Sequence, residues 1–141
     1  MKALTLLLLR VSTGGLLFWW GLRRLLIPAS GPRLSEKYYN NLLDGELAQL
    51  ILGGAEMALG LLIIVGLLRF VVYPVQAVFL GVSTVFIWKH LIDPLSLFLW
   101  EEGTRANLLF FPSSTVFFAT LVLLAFKADD DLALDRVFVR R

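Results

Sequence analysis

Between residues 46 and 68 the chain is almost continuously apolar, yet Glu56 stands near the centre of that stretch, within Gly53-Gly54-Ala55-Glu56-Met57-Ala58-Leu59-Gly60. As a helix this segment is long enough to cross a bilayer, which takes about 20 mostly apolar residues. A carboxylate at a helix centre costs roughly 2.5–3.5 kcal/mol to insert, which neighbouring leucines must offset. Such a residue faces the interior of a helix bundle and finds a partner there, so Glu56 is a candidate functional residue.

Composition makes the same statement for the whole chain. In 141 residues, 58% are hydrophobic and 17% charged, with a mean hydropathy of +0.80. The apolar residues fall in blocks rather than at amphipathic spacing, the pattern of a polytopic membrane protein. The length predicts a single membrane domain over 1–141. The formal charge of +2 comes from basic residues that flank the apolar blocks; they form no patch of the kind that binds nucleic acid. The chain contains no cysteine, which excludes disulfides, thiolate metal sites and thiol catalysis by its own residues. With a single histidine as well, no metal site is expected from this chain alone.

Breakers and charges divide the chain into four predicted spans, at about residues 3–27, 46–68, 70–92 and 106–126, followed by a charged tail at 127–141. The start, Met1-Lys2 and an apolar run to Leu9, has the look of a secretory signal. Arg10 interrupts it and no small-x-small cleavage site follows, so it reads as an uncleaved first span. That span stops at Pro28, Ser30, Gly31 and Pro32. Its residues Arg10, Gly14, Leu17, Gly21 and Arg24 share one helical face, and the small ones permit close helix approach. Trp19 and Trp20 with Arg23 and Arg24 mark its exit interface.

The polar connection at 29–45 offers Asp44 as a cap for the second span. The tight link between the second and third spans implies antiparallel neighbours. Gln76, Ser83 and His90 form a polar stripe along the third span, which stops at Asp93-Pro94. The apolar residues 95–100 are too few to cross a membrane and read as an interfacial segment. Pro112 stands near the start of the fourth span, with Ser113, Ser114, Thr115 and Thr120 able to rebond backbone groups. The sequence thus predicts an all-α membrane protein, a four-transmembrane-helix antiparallel bundle with both termini on one side. Charge does not orient it: Lys2, Arg69, Lys127, Arg136, Arg140 and Arg141 on one side balance Arg23, Arg24, Arg33, Lys37, Lys89 and Arg105 on the other.

Arg10 and Glu56 are the charges furthest from an interface. At about 1.5 Å per residue they lie roughly 10 and 15 Å in from the terminal side, so a buried ion pair between the first two spans is expected. That pair is either structural or a proton-handling or ligand-binding site tuned by burial. Gln49, Gly53, Glu56 and Gly60 share one face, which serves either close packing or room for a ligand. Trp20 joins Arg10, Glu56 and Gln49 as a candidate of the same region. In Trp88-Lys89-His90-Leu91-Ile92-Asp93, helical spacing brings Asp93 within reach of His90 and Lys89. This makes either an acid–base group or an interfacial cluster with a snorkelling lysine. The run Asp129-Asp130-Asp131 reads as solvated.

Three stretches together resemble the DoxX family of small four-helix membrane proteins. Leu9-Arg10 followed by Gly14, Phe18, Gly21 and Arg24 resembles its Leu-Arg-x3-Gly…Gly-x2-Lys pattern. Glu56-x3-Gly60-Leu61-Leu62 with Gly66-Leu67-Leu68 resembles its Glu-x3-Gly-Leu-Leu…Gly-Leu segment. Leu132-Ala133-Leu134-Asp135-Arg136 resembles its closing Ser-Leu-Asp motif, with Ala133 in place of the serine. The resemblance covers the first two spans and the C-terminus. It implies an accessory or anchoring subunit of a membrane complex, similar to the membrane subunit of a thiosulfate:quinone oxidoreductase. It further implies a bacterial inner membrane with cytoplasmic termini, and a protein partner or second copy docking on the tail or the 29–45 connection. Related groups that perform thiol redox chemistry use cysteines; here a quinone or a partner would have to carry any electrons. The alternatives are a membrane enzyme acting on a lipophilic substrate through Glu56, His90 and Asp93, or a small transporter-like protein.

Overall fold

The computed structural model describes residues 1–27, 46–93 and 111–139. These residues are helical, with no strand among them: α1 (Lys2–Leu26), α2 (Glu46–Val65), α3 (Arg69–Phe86), α4 (Trp88–Ile92), α5 (Phe111–Ala125), a 3-10 turn (Lys127–Asp129) and α6 (Leu134–Val139). Three of them, α1, α2 and α3, are long and apolar enough to cross a membrane by length and composition. Their apolar windows are only 28%, 28% and 33% buried. Most of their hydrophobic surface therefore faces outward, as in a protein solvated by lipid.

The buried line on α1 is Leu6, Arg10, Thr13, Gly14, Leu17 and Gly21, a spacing of three and four that keeps one face inward. Against it lies α2, antiparallel, joined through two glycine pairs. A Cβ on Gly14 would stand 2.8 Å from the Gly60 carbonyl oxygen, and one on Gly60 would stand 2.6 Å from that of Gly14. Gly21 and Gly53 meet in the same way one contact further along. Backbone touches backbone at both places, so the glycines set the register: residue numbers facing each other sum to 74.

At the end of α2 the chain reverses. Gly66, at φ +73, is the left-handed C′ residue. Leu67 N–H returns to Leu62 O and Gly66 N–H to Ile63 O, both at 3.0 Å, the paired bonds of a Schellman stop. Leu68 follows at φ 53 as the N-cap of α3. The third helix packs on α5, where Gly81 admits the Phe117 ring, and α5 returns antiparallel to it. Leu6, Leu17, Ile63, Val72, Tyr73, Leu80 and Leu123 form the core between these helices. The start of α1, the α2–α3 turn and residues 126–136 gather at one end, the terminal end of the bundle.

The third predicted span is interrupted. Helix α3 stops at Phe86, and Ile87 turns before the short α4. Thr84 Oγ1 donates back to Leu80 O at 2.7 Å, a side-chain bond of the kind that bends helices. Of the fourth predicted span the structure describes α5, with Pro112 at its second position, where a missing N–H costs no helical bond. The connection at 29–45 with Asp44, and the segment 95–105, lie outside the described residues.

Candidate functional site

Among the described residues, the inward-facing charges of α1 and α2 belong to two clusters, one at each end of that helix pair. At the terminal end, Arg10 Nη1 donates to Asp130 Oδ2 at 2.9 Å and Oδ1 at 3.1 Å, and its Nη2 donates to Leu132 O at 3.1 Å. Tyr73 reaches the same carboxylate, its hydroxyl donating to Oδ2 at 2.6 Å. Arg69 Nη1 donates to the Asp130 and Lys127 carbonyls at 2.8 and 3.1 Å and lies 3.5 Å from Asp130 Oδ2. Asp130 is 1% exposed. The expectation that Asp129-Asp130-Asp131 is solvated is corrected here: its middle member is the hub of a buried network. The 3-10 turn folds the chain back under α1, where the guanidinium of Arg10 would otherwise be buried without a counter-charge.

Asp135 closes the other side of this end. Its Oδ1 accepts from Leu68 N–H at 2.9 Å and its Oδ2 from Arg69 N–H at 2.8 Å, with Arg69 Nε at 3.4 Å. A carboxylate on the first amides of α3 satisfies orphan donors and the positive end of the helix dipole. Burial alone would raise the Asp135 pKa; the backbone bonds from Arg69 and Leu68, helped by the Arg69 guanidinium, outweigh it and hold it below the ordinary 3.8.

The second cluster lies toward the opposite end. Arg24 Nε donates to Glu56 Oε2 at 3.0 Å and Arg24 Nη1 to Gln49 Oε1 at 2.8 Å. Glu56 and Gln49 are each 2% exposed, while the Arg24 side chain is 18% exposed. Glu56 Oε1 has no hydrogen-bond partner. The expected Arg10–Glu56 pair is therefore corrected: Arg10 belongs to Asp130, and Glu56 to Arg24. The reason is directional. Side chains lean toward the N-terminus of their own helix, so on antiparallel helices Arg10 leans to the terminal end and Glu56 leans away from it, toward Arg24. The glycine register adds to this, placing residue 18 opposite Glu56, roughly 12 Å along the axis from Arg10.

Of the remaining candidates, Trp20 is 41% exposed and Trp19 66%; both sit on the outer face of α1, in neither cluster. Asp93 is buried at the end of α4, and the side chain of His90 lies outside the described residues. Helical rise puts Asp93 roughly 20 Å further along the bundle than Glu56, so these two carboxylates stand apart. Gln76 is fully buried, with neither side-chain polar atom bonded. Among the described residues no three His, Asp or Glu side chains converge as a metal site.

Sequence reasoning put Arg24 on the inward face yet assigned it to the interface, and passed over Tyr73, Arg69 and Asp130. The matching glycine spacing in α1 and α2 was the available signal for the Arg24 pairing. Nothing in the order of residues announced that Asp130 returns to Arg10. No family profile, curated protein or solved structure matches the chain.

Proposed function

We propose that this chain is an integral membrane protein of DoxX-like type, a four-helix antiparallel bundle serving as an accessory or anchoring subunit of a membrane complex. The observation that carries the reading is that both ionic clusters close within the chain. Arg10 and Arg69 are matched by Asp130 and Asp135, and Arg24 by Glu56 and Gln49. Interior charges used this way fix helix packing, the role a scaffold needs, while the outward surface of α1 to α3 stays apolar. A bacterial inner membrane and cytoplasmic termini come with this reading. The tail is a smaller docking surface than its charge suggests, because Asp130 and Asp135 are turned inward.

A quinone-linked version is favoured by one detail. Glu56 Oε1 lacks a donor beside the partly exposed guanidinium of Arg24. Such a pair offers an acceptor to a quinol hydroxyl and a donor to a quinone carbonyl. Purification of the intact protein in mild detergent, with mass spectrometry of co-purifying proteins and extracted lipids, tests both versions. A stoichiometric protein partner is expected. A lone chain carrying a quinone that is lost on Glu56→Gln would replace the anchoring role by the quinone site. A lone chain without quinone overturns the proposal.

A further inference from the structure

Among the described residues, four buried polar atoms of the three long helices have no hydrogen-bond partner: Arg10 Nε on α1, Glu56 Oε1 on α2, and Gln76 Nε2 and Oε1 on α3. They come from three helices: Arg10 belongs to the terminal-end cluster and Glu56 to the Arg24 cluster, while Gln76 belongs to neither. Buried polar groups in folded proteins are satisfied by protein or ordered water, and each one left bare is costly. In Gln76 both the donor and the acceptor are bare, in a side chain that is 0% exposed.

Their heights along the bundle are graded. At about 1.5 Å per residue, Tyr73 lies roughly 6 Å above the start of α3 and Gln76 roughly 10 Å, while Glu56 lies roughly 15 Å above the Gly66 turn. By height along the helix axes Gln76 thus stands between Tyr73 and Glu56, where bridging waters can serve buried polar groups that lack a protein partner. Below this ladder the Tyr73 hydroxyl bonds Asp130 at 2.6 Å. At the terminal end a cavity of about 320 Å³ is lined by Met1, Lys2, Thr5, Leu6, Phe126 and Asp129, the residue that precedes that aspartate in the chain. Above the ladder Glu56 is held by Arg24, the only described charge paired with it, with Gln49 bonded to the same guanidinium.

We propose that the bundle interior is a hydrated proton-access route that leads from the terminal end, past Asp130 and Tyr73, to Glu56, with the side chain of Gln76 orienting the waters between them. Polar side chains aligned inside a membrane bundle are the usual construction of proton relays. The role of Gln76 is positioning: its amide neither takes nor gives up a proton, but its donor and acceptor set the direction of waters on either side. Nothing is oxidised or reduced; one proton moves between the bath and the Glu56 carboxyl.

The test uses infrared difference spectroscopy on the full-length protein in lipid, with the Glu56 band identified by its loss in Glu56→Gln. In the unaltered protein that band is expected to respond to bath pH and to exchange in D2O. Gln76→Leu and Gln76→Met should each slow exchange about tenfold, corresponding to about 1.4 kcal/mol of added barrier. Their thermal midpoints should be unchanged or raised, because an unsatisfied amide is removed. A Glu56 band indifferent to pH and D2O overturns the route, as does exchange at the unaltered rate in both Gln76 variants. The outcome is independent of whether a protein partner co-purifies.

Discussion

Asp130 concentrates more of the interior electrostatics than any other described side chain, accepting from Arg10 and Tyr73 and lying beside Arg69. Removing one member of a buried ion pair typically costs about 3–5 kcal/mol, because the remaining charge has no compensation. Asp130→Asn should destabilise by that amount, measured by thermal or denaturant unfolding in detergent. Asp135 gives a pH signature at the same end. Its pKa is lowered by folding, so its contribution is complete above the ordinary 3.8 and is lost as pH falls through the lower folded value. Hydrogen exchange at the Leu68 and Arg69 amides should remain protected from neutral pH down to that range and open below it. In Asp135→Asn the protection should be weaker and free of this acid step.

At the scale of elements, the α1–α2 pair depends on where its glycines stand. Gly21 faces the α2 backbone, with Met57 N only 2.6 Å from where a Cβ would be, and backbone cannot yield as a flexible side chain can. Gly21→Ala should force the helices apart, at the 1–3 kcal/mol typical of about one inserted methyl in a packed interface. Gly15 and Gly54 face open space. Alanine there should be neutral or stabilising by up to about 1 kcal/mol through helix propensity. Unfolding of the Gly21→Ala and Gly15→Ala proteins side by side separates packing from propensity. The turn after α2 has its own requirement: Gly66 combines positive φ with contact against Arg10 and Ala133. Gly66→Ala should therefore disturb both the helix stop and the Arg10 network, seen as loss of the tail's protease protection.

At the scale of the whole molecule, two ionic clusters clamp the bundle from opposite ends. Arg10 and Arg24 are separated by roughly 21 Å of helix, and the clusters share no hydrogen-bond partner among the described residues. Asp130→Asn and Glu56→Gln should therefore combine additively, within about 0.5 kcal/mol, in a double-mutant cycle. A coupling well above that would show that the interior polar groups act as one network from end to end, which the proposed water route allows only if its bridging waters are rigid.

Much of this was legible in the residues themselves. Apolar blocks bounded by Pro, Gly and charge placed the helices, and the inward face of α1, with Arg10, Gly14, Leu17 and Gly21, followed from helical spacing alone. The burial of Glu56 followed from its position at the centre of an apolar helix. Periodicity along one helix reports which face is inward and nothing about what arrives there from elsewhere. The partners of the buried charges were decided only in three dimensions. Antiparallel helices lean their side chains in opposite directions along the bundle axis, which sends Arg10 and Glu56 to different ends. A tail that reads as solvated folds back because a buried guanidinium is far costlier without a carboxylate than an aspartate is inside the fold with one. Local sequence determined the helices; the pairing of charges is a property of their packing, because a charge separation is set by distance in space and not along the chain.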